Sequence, residues 1–166
     1  MQAEEGNYFA ELNAHIDGTL FQDVSGVDAG QQMGFSFLHR ARRGTDVMNL
    51  AITDLGLDNE FGTADDTVLF TKDYAATTAQ WETNTSEGEE TIMTLGNDIR
   101  FAYSAVSTGS GNNSIGNFID EAKFGLAANV TPDAVAKDVP EPASILALLA
   151  FGGLSVGGAL RKKQAA

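Results

Sequence analysis

The chain has 166 residues, a formal net charge of −13 at pH 7, eighteen glycines against three prolines, and no cysteine. So strong a negative charge repels phosphate backbones, which removes nucleic acid as a partner. Without cysteine there are no disulfide staples and no thiolate chemistry, so stability must come from a packed core, for which the roughly 140 residues ahead of the C-terminal tail are enough.

From the N-terminus onward the dominant pattern is alternation of apolar and polar residues, which places successive side chains on opposite faces of an extended strand. Strands are predicted at 8–13, 19–24, 33–40, 47–53, 67–71, 81–85, 99–105 and 118–124. Phe35 and Phe37 share a face, as do Met48, Leu50 and Ile52, and as do Ile99, Phe101, Tyr103 and Ala105. Turn-rich segments fall between them at 25–31, 44–46, 54–66, 86–90 and 107–116. Short strands without a helical period predict an all-β domain, an antiparallel β-sandwich over residues 1–126. Residues 127–139 are polar and read as a linker.

The last stretch, 140–163, is of another kind. Pro140 and Pro142 cannot sit inside a helix and mark its start. Residues 143–160 carry no charge, and as a helix they reach about 27 Å at about 1.5 Å per residue, close to a hydrocarbon core of roughly 30 Å. One C-terminal transmembrane helix is therefore predicted. Arg161, Lys162 and Lys163 form its stop and stay on the cytoplasmic side, which puts the N-terminal domain outside. A helix buried in a soluble core is the other reading, but such a helix normally shows a polar face and this one has none.

Pro140-Glu141-Pro142, an apolar helix and a terminal basic cluster, in that order, resemble the PEP-CTERM sorting signal of Gram-negative bacteria. The resemblance implies export, recognition by an exosortase, processing near the Pro-Glu-Pro, and delivery to the cell envelope, the surface or the extracellular polysaccharide matrix. Export also calls for an N-terminal signal with a cationic start and an apolar stretch. This chain opens with Met1-Gln2-Ala3-Glu4-Glu5-Gly6, acidic and polar. The expectation is a sequence truncated at its N-terminus; the alternative is a tail-anchored protein without export.

The body carries a second resemblance. Gly6-Asn7-Tyr8-Phe9-Ala10-Glu11-Leu12-Asn13, then Gly18-Thr19-Leu20-Phe21-Gln22-Asp23-Val24 and Phe35-Ser36-Phe37, are similar to the opening of bacterial choice-of-anchor jelly rolls. Ile115-Gly116-Asn117-Phe118-Ile119-Asp120-Glu121 is similar to their closing strand. These domains resemble carbohydrate-binding modules in fold. The resemblance implies a jelly-roll sandwich, here short of the first strands such domains carry, with surface glycans or exopolysaccharide as ligand. It also implies a structural Ca²⁺ held by one acidic residue of the opening stretch and one of the closing strand. The matching positions are Glu11 and Asp120, with backbone carbonyls and Asp17 or Glu121 completing the shell.

Read from the residues alone, Asp120 alternates with Phe118 and Phe124, and a carboxylate on such a face must be metal-bound, paired with an arginine or hydrogen-bonded. Asp54, Asp58, Glu60, Asp65 and Asp66 crowd one glycine-containing loop, which is either a calcium site or a wet acidic hairpin loop. It fails the EF-hand pattern, having Asn59 where the sixth-position glycine belongs and no closing glutamate. His39-Arg40-Ala41-Arg42-Arg43 is the basic cluster of the body, suited to neighbouring carboxylates or to an anionic sugar. Trp81, with Tyr8, Tyr74 and Tyr103, is either core or a sugar-stacking platform. Nothing selects catalytic residues: there is no G-x-S-x-G, no H-E-x-x-H, and no carboxylate pair singled out by position. The expected function is a non-catalytic, exported sandwich, with a carbohydrate-active hydrolase as the alternative.

Overall fold

The computed structural model describes residues 3, 4 and 6–130. The Pro-Glu-Pro motif, the predicted 143–160 helix and the basic stop lie outside the described residues, as does most of the predicted linker. Among the described residues no helix is long and apolar enough to cross a membrane.

Among the described residues nine strands follow one another: β1 (Ala10–Glu11), β2 (Thr19–Val24), β3 (Gln32–Arg40), β4 (Thr45–Asp54), β5 (Thr67–Thr77), β6 (Glu82–Thr85), β7 (Ile92–Met93), β8 (Ile99–Ser107) and β9 (Phe118–Leu126), with a 3₁₀ turn at Ala127–Asn129. One sheet has the order β1-β9-β3-β6, with β7 also pairing with β3; the other has the order β2-β8-β4-β5. Every pairing is antiparallel. All eight predicted strands are present. The ninth, β7, has two residues, too few for alternation to register.

Alternation sets the two faces of each sheet. Phe35 and Phe37 of β3, Met48, Leu50 and Ile52 of β4, and Ile99, Phe101 and Tyr103 of β8 all enter the common core. Phe37 meets Tyr74 of β5 edge-to-face at 5.1 Å and Tyr103 at 5.2 Å, so aromatic rings lock one sheet to the other. The hydroxyls of Tyr74 and Tyr103 are buried without a hydrogen-bond partner, and burial pushes both phenols well above their ordinary pKa, keeping them neutral.

β3 is buried on both sides. Its Gly34 has no room for a side chain, since a Cβ there would lie 2.8 Å from Ser86 Oγ and 3.1 Å from Ala127 Cα. β5 runs on to Thr77, past the predicted end at 71. It is an edge strand, and Lys72 pairs in register with core residue Leu50, so its side chain leaves the inner face of that edge. There it lies 5.3 Å from the Tyr74 ring centre and pairs with Glu89.

β9 departs from simple alternation. Its register with β3 shifts between Ser36↔Lys123 and Leu38↔Asp120, and Glu121 takes a φ of +46°. The extra residue reverses the faces. Phe124 stays in the core, stacked on Phe101 at 5.0 Å, while Phe118 and Asp120 turn to the outer side. Asp120 is therefore not core-facing beside Phe124, as unbroken alternation implied. Phe118 is covered on that side by Phe9, at 4.8 Å.

Two substitutions test this packing. Phe37→Ala should lower the unfolding free energy by about 3–5 kcal/mol, read from urea melts. Tyr103→Phe should raise it by about 1 kcal/mol, because the hydroxyl it removes is buried and unpartnered.

Candidate ligand-binding face

The outer face of the β2-β8-β4-β5 sheet collects the residues that alternation turns away from the core. Register places them in three cross-strand rows. Thr19, Ser104, Asn49 and Asp73 form the first; Phe21, Ala102, Ala51 and Thr71 the second; Asp23, Arg100, Thr53 and Val68 the third. Alanines at the centre keep the middle of the face low.

The first row is hydrogen-bonded in two pairs. Thr19 Oγ1 and Ser104 Oγ are 2.9 Å apart, and Asn49 Nδ2 donates to Asp73 Oδ1 at 2.8 Å and to Thr71 Oγ1 at 3.1 Å. In the third row Arg100 grips Asp23 with both arms of its guanidinium, Nε to Oδ1 at 2.7 Å and Nη2 to Oδ2 at 2.8 Å. The Arg100 Cζ lies 3.9 Å from the Phe21 ring centre and 4.5 Å from that of Phe61, which reaches over from the 54–66 loop. Both rings stay open to solvent, at 51% and 57% exposure. The Arg100 hydrogen bond holds the Asp23 carboxyl below its ordinary range, and Asp23 in turn raises Arg100. Two exposed phenylalanines are thus held in place by a bidentate ion pair.

The residues singled out in the sequence lie elsewhere. Glu11 accepts from Arg42 Nη1 at 2.8 Å and from Gly116 N at 3.2 Å. Asp120 accepts from Glu4 N and Glu121 N. Glu11 pairs with Phe118, two positions from Asp120 along β9, and the two carboxylates serve different partners. Among the described residues no group of three or more His, Asp or Glu is placed to hold a metal ion.

In the 54–66 loop the carboxylates accept mainly from the loop's own backbone. Asp54 takes Gly56 N, Asp58 takes Glu60 N, Asp65 takes Leu57 N and Asp66 takes Gly62 N, at 2.7–3.1 Å. Asp54 also accepts from Asn97 Nδ2, and Asp65 from Thr63 Oγ1, the largest cause of its lowered pKa. Gly56, at φ +65°, leaves the space that Asp65 fills. The basic run does not make one patch either. Arg40 donates to Thr78 O, Arg42 to Glu11, and His39 is fully buried. Trp81 is half-buried against Phe9, apart from Tyr74 and Tyr103 in the core.

Sequence reasoning missed both the Phe21–Arg100–Phe61 stack and a buried polar cluster at one end of the sandwich. Phe21 left a signal, an aromatic alternating with Thr19 and Asp23 on the polar side of its strand. The buried cluster centres on Asp46, whose carboxylate accepts three backbone N–H groups: Arg42 and Asn117 on Oδ2, at 2.8 and 3.0 Å, and Gly109 on Oδ1, at 2.8 Å.

The tail supplies what the face does not. Residues 138–163 match the PEP-CTERM protein-sorting motif. Pro140, Glu141, Pro142 and the Arg161-Lys162-Lys163 stop all fall within it, and the PEP-CTERM motif marks a protein destined for the cell surface or beyond. No curated protein matches the chain. Among solved structures it is similar to a CBM4 module (15% identity, TM-score 0.46, covering 65% of this chain and 60% of that one). It is also similar to TmCBM61, solved with β-1,4-galactotriose (13%, 0.42, 65% and 61%), and to the CBM22-2 xylan-binding domain of Paenibacillus barcinonensis Xyn10C (14%, 0.39, 60% and 65%). The chain thus spans somewhat under two thirds of the length of these structures.

Asp46→Ala should destabilise the fold by at least about 3 kcal/mol in chemical denaturation, since it orphans three backbone donors at partly or wholly buried positions.

Proposed function

We propose that this protein is an exosortase-sorted component of the cell surface or extracellular matrix, and that its sandwich binds a glycan on the outer β2-β8-β4-β5 face without catalysis. The observation that carries the reading is the pair of exposed rings, Phe21 and Phe61, packed on either side of the Arg100 guanidinium beside a row of hydroxyl, amide and carboxylate groups. The C–H faces of a pyranose stack on such rings, and its hydroxyls match the donors and acceptors of the first row. Because Arg100 already fixes the rings, little side-chain freedom is lost on binding. A sorting motif that marks the chain for the cell surface or beyond, where polysaccharide is met, supports the same ligand class.

The alternative, a hydrolase, needs a carboxyl kept protonated near neutral pH to act as general acid. Asp23, the carboxylate bonded to the arginine between the rings, is shifted the opposite way.

Pull-down on the producer's own exopolysaccharide and a glycan array test the binding. Phe21→Ala and Phe61→Ala should each weaken retention roughly tenfold, the loss of about 1.4 kcal/mol of stacking, without lowering the melting temperature. Equal retention by wild type and both variants would overturn the assignment, and reducing-sugar release from the bound polymer would replace it with the hydrolase. Changing Pro140, Glu141 and Pro142 together to alanine should leave the protein in the membrane fraction of an exosortase-bearing host instead of delivering it outside.

A further inference from the structure

The polar cluster at the end of the sandwich contains a histidine that the proposed glycan site does not use. His39 lies on β3 with no exposed surface, and its Nε2 is 2.9 Å from Asn117 Oδ1. Asn117 Nδ2 donates to Asn13 Oδ1 at 2.9 Å and to Ser107 O at 3.2 Å, so the amide oxygen is the atom turned to the imidazole. His39 therefore carries its proton on Nε2. Its Nδ1 is buried with no hydrogen-bond partner.

From this pair the bonding runs outward. Asn13 Nδ2 donates to Asp17 Oδ1 and Asn113 Nδ2 to Asp17 Oδ2, at 3.0 and 2.7 Å, while Leu12 N donates to Asn117 O. The neutral imidazole thus sits at the root of a chain that fastens β1 and the 107–117 loop to the sandwich. A second proton would go to Nδ1, where there is no acceptor and no water-accessible surface. The imidazolium is satisfied only when this end of the molecule opens.

We propose that His39 is an acid-operated latch, whose protonation releases the 107–117 loop and the β1 segment from the rest of the sandwich. The charged groups that bear on His39 are Asp46 at the head of β4 and Glu82, its register partner on β6. β9 places Ile119 opposite it, and Asn117 and Asn13 are neutral. Both carboxylates favour the imidazolium, as does the Asn117 bond, yet desolvation is the largest influence and lowers the pKa below the ordinary 6.5.

The sign follows from proton counting. Below the ordinary imidazole value an opened end binds a proton that the closed end does not. Closure is therefore fully stable above that value and weakens as pH falls, with the opening constant rising by up to about tenfold per pH unit until the closed-state pKa is reached.

Hydrogen exchange on the full chain, corrected for intrinsic rates, tests the latch. Between pH 6.5 and 5.5 protection at residues 10–13 and 108–117 should fall by up to tenfold, while β4 and β8 keep theirs. In His39→Gln, which has no titrating group, that selective loss should vanish. The same loss in both proteins would overturn the proposal. Should the variant not fold, imidazole NMR on a His15→Asn chain replaces it. Protonation of His39 in step with loss of loop protection supports the latch, and protonation while the loop stays protected overturns it.

Discussion

The structure depends on the wedge of Phe37 between Tyr74 and Tyr103. In a chain without cysteine, this aromatic contact and the aliphatic layer around it are what keep two sheets together. Two of the three strands that meet there, β5 and β8, also carry the candidate ligand face. On β8, Ile99, Phe101 and Tyr103 point inward and Arg100, Ala102 and Ser104 outward, so core and binding face are alternate residues of one strand. A slip of one residue would exchange them, which ties the shape of the face to the packing behind it.

The outer face and the buried end of the sandwich are built on different principles. Near the ligand face the exposed rings are fixed by an ion pair in contact with water, where screening makes the pair more a positioning device than a source of stability. At the opposite extreme of burial, Asp46, His39, Asn117 and Asn13 fill an interior site with polar atoms that, His39 Nδ1 apart, are hydrogen-bonded in one arrangement. Such a network adds less net stability than an apolar plug would, and it specifies the path of the 107–117 loop more narrowly.

How far this was legible in the sequence differs from element to element. Strands were legible because period-two alternation is a local property: β2 was predicted with its observed ends, and β3, β4 and β8 to within two residues. β5 was cut short because Lys72-Asp73 interrupts the apolar alternation that Tyr74 and Ala76 resume. Asp120 was assigned to the wrong face because the bulge at Glu121 uses a non-glycine residue at positive φ, which leaves no mark in composition. The binding face was hardest. Phe21, Phe61 and Arg100 are far apart in the chain, and their convergence is a product of sheet order, which alternation does not encode.

β5 carries a consequence for life outside the cell. A long edge strand offers unpaired backbone groups to any neighbour, and a protein concentrated at a surface meets many copies of itself. Lys72 stands on the inner side of that edge, held by Glu89 and the Tyr74 ring. A second β5 laid alongside would have to strip water from an ammonium group at the mouth of the core. An inward charge of this kind works against pairing of two such sandwiches through this edge.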